Sequence, residues 1–448
     1  MNRWIKRLLI SLAALVAIVL SLVGPIDRTP LPEQSFYTGM VKNLDSLSIP
    51  SYPANGKLKA GWKKLSITPD HSMPMAGYKR RPVFETIHDS LHARIIGISN
   101  GFISCYLISA DLLLFPPIIK QQVEQRLDKE LPSKIFLYFG ATHTHNGIGG
   151  WNNSLVGNFA LGGYDEDWVN KTTTKLVEEI KAINSSMKPA TLSYWETNAN
   201  EYAENRLVAA APHDGWLRGL KIVADDSSSA QFVTFSAHAT SISKKSLSLS
   251  GDYPAVLIDQ IENHHNSSGM FMAGMVGSHR LAGIDATEYD LVNKAGVALN
   301  KKILTAVYDK AFDSIEIRAA HVPIYFGPSQ LRLTKNWKLR NWVFNSVLNP
   351  LKGELTFLQL GNITLIGTPS DFSGELSITQ KLNELAANND QHLIITSFNG
   401  DYVGYITEDD HYELVEKEEV MAMNWVGPYY GNYFSEMIST LINKTQGR

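Results

Sequence analysis

The sequence predicts an α/β fold, mixed sheets flanked by helices in a single large catalytic domain, on three observations. From Lys57 onward short apolar runs alternate with amphipathic stretches, neither an internal repeat nor a low-complexity block interrupts them, and 448 residues suffice for a large buried core. The apolar runs place strands at 93–98, 103–109, 135–139, 219–223, 232–236, 355–360, 363–366 and 393–397. The amphipathic stretches place helices at 117–127, 166–182, 254–263, 288–311, 372–386 and 429–441. Residues suited to chemistry fall where strands give way to loops, the usual location on such a scaffold.

Three domain segments are expected: an N-terminal membrane anchor or signal peptide over 1–25, a linker or arm over 26–56, and a catalytic domain over 57–448. Arg3, Lys6 and Arg7 precede a stretch at 8–23 with nothing charged, followed by Gly24-Pro25. The apolar stretch is short for a span of about 20 residues, and no clean small-x-small cleavage site follows it; an uncleaved anchor is favoured and a cleaved signal stays open. Basic residues before the apolar stretch put the rest of the chain on the non-cytoplasmic side, tethered or exported. A net charge of −3 without long basic runs argues against nucleic acid as a partner. The single cysteine, Cys105, lies in an apolar run, so it reads as a buried inert thiol and no intramolecular disulfide is possible.

The most informative stretch is Gly140-Ala141-Thr142-His143-Thr144-His145-Asn146-Gly147, directly after the strand at 135–139. Side chains two apart on a strand point the same way, so His143 and His145 are expected to project together as a metal site at a strand end. Taken alone, a His-x-His pair fits metal ligation and structural histidines about equally. Alternatives stay open elsewhere. His238 fits a ligand or a core histidine, and Asp371 a ligand or the N-cap of the helix at 372–386. Tyr405 fits packing, Arg206 a surface ion pair, and Asp111 either a partner to a ligand histidine or a strand-end cap. Lys79-Arg80-Arg81 reads as a solvated loop or a guide for an acidic head group.

Read together, these segments resemble the catalytic domain of the neutral/alkaline, non-lysosomal ceramidase family. The resemblance runs through Met75-Ala-Gly-Tyr78, His88-Asp-Ser-Leu-His-Ala-Arg94, Thr142-His-Thr-His-Asn-Gly147, Asn205-Arg206, Phe235-Ser-Ala-His-Ala-Thr240, Ser250-Gly-Asp252, Thr368-Pro-Ser-Asp-Phe-Ser373 and Tyr402-Val-Gly-Tyr-Ile-Thr407, in the family's order. It implies one Zn2+ per chain held by His143, His238, Asp371 and Tyr405. It also implies catalytic roles for His145, Arg206 and Tyr405, and substrate binding by Gly77 and Arg206. The implied activity is that of a zinc-dependent amidohydrolase cleaving the N-acyl bond of a ceramide-like or other lipid-like substrate through metal-activated water. In that scheme a protonated His145 assists the carbonyl oxygen and supplies the leaving amine's proton.

The chain departs from the family pattern in four places. Asp371 stands where the family has Glu, and the segment ending Gly277-Ser278-His279 is shortened, which leaves Ser278 without a role. An acidic stretch at 409–419 replaces one whose tyrosine reaches the substrate, and the C-terminal immunoglobulin-like domain has no counterpart. Two other readings stand beside the leading one: a metal-dependent ester or phosphoester hydrolase, and a surface-anchored binding protein whose site has decayed. The acyl chain, the amine and the oligomeric state are not legible.

Overall fold

The computed structural model describes residues 3–78, 80–131, 134–265 and 267–445; Met1, Asn2 and Lys79 lie outside the described residues. Among those, strands gather into two principal sheets. The larger, of nine strands, runs in the order Ser268–Ala273, Ser229–Phe235, Trp216–Ala224, Lys188–Asn198, Lys59–Ser66, His92–Ser99, Ser104–Ala110, Ile135–Ala141, with Val307–Tyr308 also paired to Lys188–Asn198. The smaller has five: Ser51–Tyr52, Ile317–Pro323, Glu354–Leu360, Ile363–Gly367 and His392–Thr396. Most pairs are antiparallel, but Ser104–Ala110 with Ile135–Ala141, Ser229–Phe235 with Ser268–Ala273, and Ile363–Gly367 with His392–Thr396 are parallel.

Period-two burial builds four layers from these sheets. In Ser104–Ala110, Cys105 and Leu107 enter a core shared with Leu358, Leu365 and Ile394 of the smaller sheet, while Tyr106, Ile108 and Ala110 face the opposite side. That opposite side is covered by helices Pro117–Glu130, Glu166–Ser186, Asp252–His265 and Glu288–Leu304 through Val123, Ile180, Leu257 and Leu299. The outer face of the smaller sheet, Leu355 and Phe357 among its residues, is covered by Ser35–Ser46, Leu382–Asn388 and Tyr430–Lys444. The mixed α/β expectation is met. Strands buried on both faces read as near-continuous apolar runs, which is why 103–109, 135–139 and 363–366 were legible. Burial of Cys105 between the sheets pushes its thiol well above the ordinary range, as an inert core thiol requires.

Two predicted helices are corrected. The stretch at 288–311 is helical only over Glu288–Leu304, and its tail becomes the edge strand Val307–Tyr308. The stretch at 372–386 opens as the two-residue strand Asp371–Phe372 and then forms Glu375–Thr379 and Leu382–Asn388, parted by Lys381 in a left-handed turn (φ 55°). Asp371 therefore caps no helix. Residues after the N-terminal helix lie against the body: Met40 and Leu44 are buried, Phe36 stacks on Tyr430 with ring centroids 5.8 Å apart, and Tyr52 pairs with Ile317.

The turn at 250–252 fastens the His143 loop to the Asp252–His265 helix. The Thr144 hydroxyl donates to the Ser250 carbonyl at 2.6 Å, and Ser250 N–H donates to the Asn146 carbonyl at 3.0 Å. The Asp252 carboxylate accepts N–H bonds from Ser241 and Tyr253, but its complete burial holds its pKa at about 6. A raised folded-state pKa gives stability that is present below about pH 4 and lost as pH rises through 6. Relative to wild type, Asp252→Asn is therefore expected to gain about 2 to 3 kcal/mol between pH 4 and pH 7, at ~1.4 kcal/mol per unit. Melting temperatures of both proteins across that range check it; parallel curves would contradict it.

Candidate metal centre

Loops after four strands converge above one end of the sheets. His143 follows Ile135–Ala141 by two residues, His238 follows Ser229–Phe235 by three, and Asp371 follows Ile363–Gly367 by four. Tyr405 arrives through a two-residue parallel pairing, Asp371–Phe372 with Tyr405–Ile406, whose register puts Asp371 opposite Tyr405. The His-x-His geometry differs from the strand-alternation expectation. The strand ends at Ala141 and His143 adopts a left-handed conformation (φ 61°), so the chain turns between the two histidines. They meet all the same, His145 Nε2 lying 3.1 Å from His143 Nε2.

Each of the two deeper imidazoles is oriented by a backbone carbonyl. His143 Nδ1 lies 2.6 Å from the Leu113 carbonyl, and His238 Nδ1 lies 2.8 Å from that of Val276. A carbonyl only accepts, so each Nδ1 carries the proton and each Nε2 presents a lone pair to the site. Phe398 stacks on the His143 ring at 4.1 Å and fixes its plane. Burial holds His143 at about 3 and His238 well below the histidine range, so both stay neutral near pH 7.

Asp371 Oδ1 sits 3.5 Å from His143 Nε2 and 3.3 Å from His238 Nε2. Its other oxygen accepts from the Tyr402 hydroxyl at 2.6 Å, whereas Oδ1 is buried without a hydrogen-bond partner. Two imidazole lone pairs and an orphaned carboxylate oxygen facing one another are costly unless a cation joins them. Two nitrogens, a carboxylate and the Tyr405 oxygen, 3.1 Å from His238 Nε2, are donors that zinc accepts. His143, His145 and His238 also offer ligand atoms within 4.8 Å of one another, so a three-histidine set is the competing arrangement. Both sets share His143 and His238.

Arg206 closes one side. One terminal nitrogen donates to the Tyr405 hydroxyl at 3.0 Å and His238 Nε2 at 3.2 Å; the other pairs with Glu419 at 3.2 Å. The backbone N–H of Arg206 donates to the Ser278 carbonyl, and the Ser278 hydroxyl meets His279 Nδ1 at 3.0 Å, so Ser278 touches the site only through its neighbours. Gly77 (φ 118°) presses against the His145 backbone so closely that a Cβ would stand 2.4 Å from the His145 Cα. Arg81 donates to the His145 carbonyl at 2.7 Å. Burial and the adjoining His143, His238 and Arg206 hold His145 well below the histidine range. It is therefore neutral here, in place of the protonated form expected from the sequence. Asp111 accepts from His92 N–H and Arg94, so it ties two strands and leaves histidine orientation to Leu113.

Leu113, Phe398, Tyr402 and Glu419 are not among the site residues expected from the sequence, and Arg81 is expected there only as a loop residue or head-group guide, not as the partner of the His145 carbonyl. Tyr402, Glu419 and Arg81 stand in segments already singled out; a backbone carbonyl and a stacking phenylalanine leave no signal.

Residues 61–280 match the family model described as "Neutral/alkaline non-lysosomal ceramidase, N-terminal". Among solved structures, the chain is similar to the neutral ceramidase from Pseudomonas aeruginosa, with a TM-score of 0.73 and 16% identity over 88% of this chain and 76% of that one. A structure described as ceramidase complexed with C2 is similar at a TM-score of 0.71 and 15% identity, over 87% and 76% of the two chains. No curated protein matches by sequence.

The Tyr402 hydroxyl aims the Asp371 carboxylate, so Tyr402→Phe is expected to weaken metal affinity at this site by about 10- to 100-fold. A chelator-competition titration measures it; unchanged affinity would show that Asp371 lies outside the ligand set.

Proposed function

We propose that this chain, whose residues 61–280 match the neutral/alkaline non-lysosomal ceramidase family model and whose fold is similar to that of a neutral ceramidase, is a zinc-dependent amidohydrolase cleaving the N-acyl bond of a ceramide-like or other lipid-like amide. The observation that carries the reading is the convergence of His143 Nε2, His238 Nε2, the orphaned Asp371 Oδ1 and the Tyr405 hydroxyl. These four residues would hold the metal, which supplies a Lewis acid that lowers the pKa of water and polarises a carbonyl. The shorter Asp371 is accommodated because its small parallel pairing carries it to the two imidazoles, which weighs against the decayed-site reading.

The chain's own residues do the rest. His145 faces the same space from outside the ligand set, where it takes a proton from the attacking water and returns it to the leaving amine. The Tyr405 hydroxyl and Arg206 donate toward the carbonyl oxygen as negative charge grows on it. Gly77, having no side chain, lets its loop lie on His145, and Arg81 holds the His145 carbonyl. Glu419 already neutralises Arg206, so the head group beside it is a neutral hydroxyl-bearing one, disfavouring the phosphoester alternative. The helix Arg3–Leu22, basic at Arg3, Lys6 and Arg7 and free of charge from Leu8 onward, is read as the membrane anchor, with the arm over 26–56 and the hydrolase domain over 57–448 outside that membrane.

His143→Ala and His238→Ala are each expected to lose metal and turnover together. His145→Ala is expected to keep about one metal per chain while kcat on an N-acyl lipid falls by at least 100-fold. Elemental analysis beside hydrolysis assays decides it, and full metal occupancy in both ligand variants would overturn the assignment.

Glu419→Gln is expected to raise kcat/KM for N-acyl substrates with an anionic head about tenfold relative to neutral ones, ~1.4 kcal/mol of transition-state discrimination. An unchanged ratio would remove Glu419 from head-group selection.

A further inference from the structure

The N-terminal helix joins the catalytic body without a spacer. Immediately after Leu22, Val23–Pro25 pairs antiparallel with Trp337–Leu339. The body then caps the helix: Arg340 donates to the Leu22 carbonyl from its backbone at 2.9 Å and to the Leu20 carbonyl from Nε at 2.7 Å. Trp342 Nε1 donates to the Ser21 carbonyl at 2.9 Å. These are among the carbonyls a helix end leaves unbonded. Twenty residues of helix span about 30 Å, the thickness of a bilayer's hydrocarbon core, and none of them is buried. Whatever membrane this helix crosses, the groups bonded to its last turn stand at that membrane's surface.

Those groups belong to an exposed apolar face. Around the join stand Trp337 (44% exposed), Trp342 (56%) and Leu333 (48%). The helix Asn341–Leu348 packs against the short helix Leu155–Ala160, which exposes Leu155 (73%) and Phe159 (65%). The Arg80 guanidinium lies 5.2 Å from the Phe159 ring centre. Beyond Phe159, Gly162 and Gly163 line a cavity with Arg80, Arg81 and Val83, and Arg81 is the residue bonded to the His145 carbonyl. Exposed aromatic and aliphatic side chains thus run from the end of the apolar helix to the wall of the His145 site. Tryptophans at such a level match the interfacial belt of membrane proteins, and clustered exposed apolar side chains mark an interaction surface.

We infer that this face seats in the interfacial layer of the lipid bilayer, Trp337 and Trp342 at head-group level and Leu155 and Phe159 at the acyl boundary. A lipid-like amide then enters the site from the leaflet without crossing bulk water. The inference rests on the anchor and lipid-amide readings above, but its test involves no catalysis.

Cys105 is the only cysteine and is buried, so a thiol-reactive fluorophore reports from one introduced position at a time. The full-length chain in phosphatidylcholine/phosphatidylglycerol vesicles is labelled at Trp342→Cys, Leu155→Cys, Val16→Cys and Ser185→Cys. Ser185 is exposed at the far end of Glu166–Ser186, about 30 Å from that helix's start. Labels at 342 and 155 are expected to be quenched by brominated phosphatidylcholine at least threefold more than the label at 185, and to be shielded from iodide. Iodide quenching at 342 and 155 equal to that at 185 overturns the seating. If the label at 16 is then lipid-quenched, the anchor reading survives alone; if it too is in water, both fall. Hydrolysis of N-acyl substrates, assayed separately in detergent, judges the enzyme reading.

Discussion

Asp371 Oδ1 faces two imidazole nitrogens that have no proton to give it, and much of the molecule is arranged to hold that confrontation in place. A buried acceptor without a donor costs on the order of 1 to 3 kcal/mol, more when charged. This one is held from several sides at once. The Leu113 and Val276 carbonyls turn the imidazole lone pairs inward, the Tyr402 hydroxyl pins the other Asp371 oxygen, and Phe398 fixes the His143 plane. A cation at the centre turns the mutual repulsion of these acceptors into attraction, and the four layers of the fold supply the rigidity that keeps them aimed.

That rigidity has a layered origin. Strands buried on both faces end at a common level, and the loops leaving them are bonded to one another. The His143 loop is fastened to the turn at 250–252, His238 N–H to the His279 carbonyl, and Arg206 N–H to the Ser278 carbonyl. Beneath them Asp214 holds Arg218 through two bonds of 2.8 and 2.9 Å and offers its own N–H to His279. Removing either partner of this pair would leave the other charge buried and unpaired, which is strongly destabilising. Arg206 is bonded through its backbone to Ser278, whose hydroxyl meets His279, and through its guanidinium to Tyr405, so it links the protein core to the face where a substrate would lie.

The legible part of the sequence was the part set by periodicity. Strands such as Ile363–Gly367 are apolar at nearly every position because both faces are covered, whereas Lys188–Asn198 was missed because exposed and buried positions mix along its eleven residues. Lys59–Ser66 and Ile317–Pro323 escaped for the same reason, their polar residues reaching an exposed face. The site was legible in its histidines, which stand in compact motifs after apolar strands. It was illegible where the work falls to a backbone carbonyl, a left-handed turn at His143, or a pairing 34 residues apart between Asp371 and Tyr405, since none of these leaves a local pattern.

The most direct measurement is the metal content of the full-length chain, purified without added metal and analysed at neutral pH together with its melting temperature before and after chelation. The expected result is close to one zinc per chain, with a lower melting temperature once the metal is removed and recovery on adding zinc back, because a bound cation relieves the buried Asp371 Oδ1 that has no donor. A chain that carries no metal, melts at the same temperature with or without chelator, and still hydrolyses an N-acyl lipid would contradict it.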